Sequence, residues 1–239
     1  MRVATYDEIR PELATGGLLE FCAHGELGTA IRAFTHQDVN HSAMIVRVDD
    51  FSADPAHQVF ILEADTKIRL VPASFDLDAF NGEVYYSPLL PQFDYCRNNI
   101  AAWAMDQLGL DYDYPSLFKN MFGTVYADSG RMFCSELVFI ADVAGGVFAG
   151  KYSLINGKVW DAFGNEVKAP VPGTFGQYGI YGDRIGIVKS AAGLRARIDP
   201  VGKAETPQNT EPLAFDSTSR SGVLIFLYIG NLSINIVNL

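Results

Sequence analysis

Only three cysteines, Cys22, Cys96 and Cys134, occur in 239 residues. They are too few and too scattered to frame a disulfide-stapled fold, and they point to a reducing compartment. Basic charge is also scarce: 18 Lys and Arg stand against 28 Asp and Glu, for a net charge of −10. No basic run is present, which argues against nucleic-acid binding through phosphate contacts. No uninterrupted apolar stretch reaches the roughly 18 residues of a membrane-spanning helix. The opening MRVATYDEIRPEL mixes charged with small residues and lacks the apolar centre of a signal peptide. The expected location is therefore cytoplasmic. What remains is a chain with 49% hydrophobic and 19% charged residues. Such a chain can bury a sizeable core, so disorder throughout is excluded.

Charge is not spread evenly. Residues 191–239 hold four basic and four acidic side chains, so the whole net charge belongs to residues 1–190. The stretch from Lys203 to Arg220 is polar and contains Pro207 and Pro212, which reads as a linker. The last 19 residues, Ser221 to Leu239, carry no charged side chain but include Asn231, Asn235 and Asn238. Asparagine is costly in hydrocarbon, so a strand-forming or docked tail is expected there. Membrane or self-association through that tail is the alternative. The expected organisation is a domain at 1–190, a linker at 191–220 and an apolar tail at 221–239.

Within the domain, short β-rich runs alternate irregularly with helical ones. Residues 17–21, 42–48, 59–64 and 83–88 read as strands, as does the late run 179–188. Residues 28–34 offer one or two helical turns. Asn98 to Leu108 reads as a helix stopped by Gly109, and Phe133 to Val143 as another stopped by Gly145-Gly146. The order is not a strict β-α alternation, so an α+β domain around an antiparallel sheet is expected.

The chemistry concentrates in one helix start. Leu137, Val138 and Ala141 follow Cys134 at +3, +4 and +7, so a helix beginning there puts the thiol at its N-terminal end. Helix N-termini favour thiolate, and the amides of Cys134 and Ser135 could receive an oxyanion. The plain alternative is a packed, inert thiol. A nucleophilic cysteine needs a base, and His41 opens a predicted strand. Glu63 lies in the otherwise apolar Phe60-Ile61-Leu62-Glu63-Ala64, where a carboxylate is expensive to bury without a partner. If the two strands pair, His41 and Glu63 share a face. Taken singly, each reads as an ordinary strand residue; the combination suggests a site.

These residues resemble a known group. Thr15-Gly16-Gly17-Leu18-Leu19, Asn40-His41-Ser42-Ala43-Met44-Ile45-Val46, Leu62-Glu63-Ala64, Tyr112-Asp113 and Phe133-Cys134-Ser135-Glu136-Leu137-Val138 resemble the permuted papain-like amidases of the YaeF/YiiX type, within the NlpC-like cysteine peptidase superfamily. The resemblance covers residues 15 to about 145, and more loosely to 188. It implies a circularly permuted papain-like domain with helices against an antiparallel sheet. It further implies that Cys134 is the nucleophile, His41 the base and Glu63 the residue orienting the imidazole. The implied substrate is a small peptide or amide, with no cofactor. Two positions depart from the group: Gly17, where Asp is usual, and Asn40, where Ser is common. A lipid acyltransferase or esterase of the same superfamily is a rival reading, though a second His usually replaces Glu63 there. A catalytically silent binding or structural module is another.

Other residues could compete. Cys22, His24, His36 and His41 are candidates for a metal site, although their spacing fits no familiar zinc pattern. His36 could replace His41 as base, and Cys96 could be a packed thiol. Asp111, Asp113 and Asp128 lack the spacing of a calcium loop. Gly145-Gly146 lacks the context of a phosphate loop.

Overall fold

The computed structural model describes residues 1–48, 58–112 and 131–188. The expected boundary near residue 190, the linker and the tail lie outside these residues, as do Asp113 and Asp128. Elements are named in chain order: β1 (Arg2–Thr5), α1 (Tyr6–Ile9), β2 (Leu18–Ala23), α2 (Glu26–Thr35), β3 (His41–Arg47), β4 (Val59–Ala64) and β5 (Ile68–Pro72). Then come α3 (Ala73–Ala79), β6 (Gly82–Ser87), α4 (Arg97–Met105), β7 (Asp111–Tyr112), β8 (Arg131–Met132) and α5 (Cys134–Gly145). The hairpin β9 (Tyr152–Ile155) and β10 (Lys158–Asp161) and the strand β11 (Ile185–Val188) complete the order.

The fold is α+β. Seven strands form one sheet in the order β1-β11-β6-β2-β3-β4-β5. Every pairing in it is antiparallel except β1 with β11, which is parallel, so the sheet is mixed. Almost the whole domain separates β1 from β11. No tight turn joins them, so nothing forces them antiparallel.

Alternation along the central strands splits the core in two. Leu18, Met44, Val46, Leu62 and Ala64 point to one side, where they pack with Ile100 and Ala104 of α4 and with Leu137, Val138 and Ala141 of α5. Leu19, Phe21, Ala43, Ile45, Val59 and Ile61 point to the other, against Tyr6, Ile9, Ala73 and Leu77 from α1 and α3. Both faces being covered, β3 is buried from Ser42 to Val46, and Ala43 to Val46 read as a continuous apolar run. Each fully buried side chain of this kind contributes about 1.5–3 kcal/mol.

The central helix is α5, whose residues are buried almost all round. A helix apolar on every side belongs inside a core. It packs on β3, β4 and α4. Gly145 permits the α4 contact, because a Cβ there would come within 2.3 Å of Ile100. Gly146 then ends the helix in the left-handed conformation at φ 92°.

Several expectations shift in detail. The helix at 98–108 ends at Met105, and Leu108 lies on the exposed turn that follows. The late strand is only β11; residues 175–178 form a 3₁₀ turn and Gly179 turns the chain at φ 65°. β1, α1, β5, α3, β7, β8 and the β9–β10 hairpin are additional to the expected elements.

Candidate active site

His41 is the first residue of β3, and its position is fixed on both flanks. The Asn40 backbone N–H donates to the Phe21 carbonyl at 2.8 Å. The Asn40 side-chain oxygen accepts from the Ala23 N–H at 2.7 Å. The departure at position 40 thus supplies a side chain that ties the start of β3 to β2. The Phe21 ring lies 5.4 Å from the imidazole, centroid to centroid, and Phe80 packs edge-on against Phe21 at 5.0 Å.

Glu63 reaches the same place from β4. In the β3–β4 register Ala43 faces Glu63, so His41 stands one diagonal step away on the same face. His41 Nε2 lies 2.8 Å from Glu63 Oε2. The His41 side chain is 21% exposed and that of Glu63 is 5% exposed. Glu63 is therefore a buried carboxylate with a partner, as its apolar strand demanded.

Cys134 is the first residue of α5, with Phe133 as its extended N-cap. The Glu136 carboxylate accepts from the Phe133 N–H at 3.4 Å, which helps close the first turn. Helix geometry leaves the amides of that turn without acceptors inside the helix. The Cys134 side chain is buried and hydrogen-bonded to His41. Burial pulls the imidazolium pKa down. The contacts with Cys134 and then with Glu63, by charge and hydrogen bond, outweigh this and hold His41 well above its ordinary value. For Glu63 burial pushes upward, but the contacts with His41 and Arg69 keep the carboxyl below its usual range. Since Nε2 faces Glu63, Nδ1 is the ring nitrogen left for the thiol.

Two neighbours escape a reading by residue type. Arg69 on β5 lies opposite Glu63 in the register. Its Nε and Nη2 donate to Glu63 Oε1 at 2.9 and 2.6 Å. Asp76 on α3 lies 3.7 Å from the same Nη2. Burial, then the negative charge of Glu63, push the Asp76 carboxyl up to about 6. The usable sequence signal is the span from Glu63 to Arg69, Glu-Ala-Asp-Thr-Lys-Ile-Arg, where a three-residue loop sets opposite charges across a hairpin.

The competing residues go elsewhere. His36 caps α2 in the left-handed conformation at φ 55°. Cys96 is buried in the α4–α5 core. Cys22 is buried on β2, and burial raises its thiol pKa. Among the described residues no three or more His, Cys, Asp or Glu side chains are gathered to hold a metal ion. Among them too, no helix is long and apolar enough to cross a membrane. Gly17 also finds its reason: a Cβ there would meet the Tyr86 ring at 2.4 Å. The Tyr86 hydroxyl accepts from the Ala14 N–H and donates to the Glu12 carbonyl, which holds the ring in place.

No protein-family model and no curated protein matches the sequence. Among solved structures the chain is similar to YiiX, a metalloprotein from Escherichia coli. The two share 21% identity over 59% of this chain and 71% of that one, with a TM-score of 0.44.

Proposed function

We propose that this protein is a cysteine hydrolase that cleaves an amide bond in a small, peptide-like substrate. The observation that carries the reading is the chain of contacts from Cys134 to His41 to Glu63, with the 2.8 Å bond between imidazole and carboxylate. A thiolate at a helix start, a protonated imidazole beside it and a carboxylate behind form a nucleophile, a proton carrier and an orienting group.

In this reading the Cys134 sulfur attacks the carbonyl carbon, and the carbonyl π electrons move onto oxygen. The amides of Cys134 and Ser135 receive that oxyanion. His41 gives its Nδ1 proton to the leaving nitrogen as the C–N bond breaks, leaving a thioester on Cys134. Neutral His41 then takes a proton from water, whose oxygen attacks the thioester; the C–S bond breaks, releasing the acid and restoring the Cys134 thiolate beside protonated His41. Glu63 stays ionised and holds Nε2–H in place throughout. The order His41, Glu63, Cys134 along the chain fits a circularly permuted papain-like domain of the YaeF/YiiX type.

The test needs no known substrate. Iodoacetamide should alkylate Cys134 at a pH well below the free-thiol value of about 8.5. His41→Ala should move that threshold upward, and Cys134→Ala should abolish the labelling. Labelling of Cys22 or Cys96 ahead of Cys134 would remove the nucleophile assignment. Hydrolysis of a library of short fluorogenic peptide amides, absent in Cys134→Ala, would then separate amidase chemistry from mere thiol reactivity.

A further inference from the structure

Glu63 has two oxygens, and only one meets the imidazole. Oε2 lies against His41 Nε2, while Oε1 takes two N–H donors from a single guanidinium, the Nε and Nη2 of Arg69. Arg69 is itself held from two further sides, by Asp65 at 3.3 Å and Asp76 at 3.7 Å. The three carboxylates come from different places: Glu63 from β4, Asp65 from the β4–β5 loop and Asp76 from α3. The guanidinium is therefore fixed where the hairpin meets α3.

We infer that Arg69 is a positioning residue: by clamping Oε1 it sets the rotation of the Glu63 carboxylate, and through it the orientation and charge of His41 beside Cys134. This inference rests on the assignment of Cys134 and His41 as the reacting pair. A carboxylate at a strand position has a soft terminal torsion that one hydrogen bond does not define. Two donors from one rigid, planar fork define it. Against burial, the contact with His41 and then this fork hold the Glu63 carboxyl below its usual range, although its side chain is 5% exposed. A neutral Glu63 would accept less strongly from the imidazolium, and the thiolate would lose its counter-charge.

The plain alternative is a cross-strand ion pair that only stabilises the β4–β5 hairpin. Arg69 is 43% exposed but Glu63 only 5%, so such a brace would act on stability alone. The two roles predict different things. A hairpin brace affects melting and leaves thiol chemistry alone. A positioning residue affects thiol chemistry in a protein that is still folded. The groups that face Glu63 are His41 from β3, Arg69 from β5 and Asp76 from α3, with Cys134 of α5 beyond the imidazole. Removing the cation leaves Glu63 without its clamp and takes positive charge from the thiolate's surroundings. Both changes disfavour the thiolate–imidazolium pair, so they act in one direction.

The experiment compares wild type, Arg69→Lys and Arg69→Gln in the full chain. It follows iodoacetamide labelling of Cys134 from pH 4 to 10 by intact mass, well below each variant's melting temperature. Arg69→Gln should move the half-labelling pH upward by about one unit, a tenfold change in the thiolate population. Arg69→Lys keeps the charge but not the two-pronged contact, so it should fall between, at about half a unit. If Arg69→Gln does not fold, the Lys variant carries the test alone. Profiles that superimpose on the wild type overturn the positioning role. A wild-type profile unaffected by His41→Ala would instead sink the reacting pair itself, so the two failures are distinguishable.

Discussion

Two of the carboxylates buried among the described residues, Glu63 and Asp142, keep contrasting company. Glu63 sits between an imidazole and a guanidinium, and its pKa is lowered. Asp142, buried in the last turn of α5, has a single donor, the Tyr181 hydroxyl at 2.7 Å, and its Oδ1 has no hydrogen-bond partner among the described residues. Burial lifts Asp142 to about 8, with the Tyr181 bond opposing only in part. The Tyr181 hydroxyl is in turn held well above its usual range by burial and by Asp142. Burial alone does not decide the charge of a carboxylate; the partners do. At Glu63 the fold supplies cations and keeps an anion beside the candidate reacting groups. At Asp142 it supplies a hydroxyl and keeps a neutral acid inside the core.

The contrast can be broken at several points, of which Glu63 should give the largest effect. If its anion orients His41, Glu63→Ala should lower turnover on a cleaved amide by about 10³–10⁴, as for other lost orienting groups. Glu63→Gln should retain more. Unchanged turnover in the Ala variant would take Glu63 out of the site. At Asp142 the expected readout is stability rather than rate. Its folded pKa is raised, so its contribution is fully present below the ordinary carboxylate range and is lost as pH climbs toward about 8. Asp142→Asn removes this loss, so its melting temperature should exceed the wild type's by a margin that widens from pH 5 to pH 8. The slope is at most about 1.4 kcal/mol per pH unit. A margin that does not change with pH would mean that Asp142 is ionised in the fold.

Smaller still is Tyr181→Phe, which leaves Asp142 without its donor. A lost bond to a buried polar group costs about 1–3 kcal/mol. The loss should be greatest at high pH, where the carboxylate is ionised, and it should vanish in an Asp142→Asn background if the two act as one unit. The smallest effect is expected for wild-type melting in acid. Glu63 has a lowered folded pKa, so its contribution is present above the ordinary carboxylate range and lost as pH falls through the folded value. Glu63→Gln should be less sensitive to pH than the wild type between pH 5 and 3. Equal sensitivity would mean that Glu63 titrates normally.

The two carboxylates also differ in how plainly the sequence announces them. Glu63 stands out because its strand is otherwise apolar and a charge there requires a partner. His41 and Cys134 stand out because each opens an element, one a strand and one a helix. Such local signals survive without knowledge of the fold. Arg69 does not stand out, because its role depends on a register: only the β4–β5 pairing brings it opposite Glu63. Asp142 hides for a related reason. A charged residue one turn past Val138 looks like the solvent side of a helix, and only the all-round burial of α5 makes it an interior acid. The seven-stranded order likewise depends on pairings between distant segments, β6 with β2 and β11 with β6. The β9–β10 hairpin carries its own signal, Asn156-Gly157 with φ values of 51° and 75°. The flanking strands are short and half-exposed, so alternation does not mark them out.

The parallel pairing of β1 with β11 has a consequence for how the chain is made. Arg2 lies opposite Ile185 and Thr5 opposite Val188. β1 therefore leaves the ribosome long before its partner β11. The β3–β4 and β4–β5 hairpins can close soon after synthesis, but β1 waits until residue 188 is available. Contacts of such long sequence separation are slow to form, because the loop must close before the pairing rewards it. β1 thus exists for a long time without its place in the sheet, and until β11 arrives its backbone donors are open to a wrong neighbour.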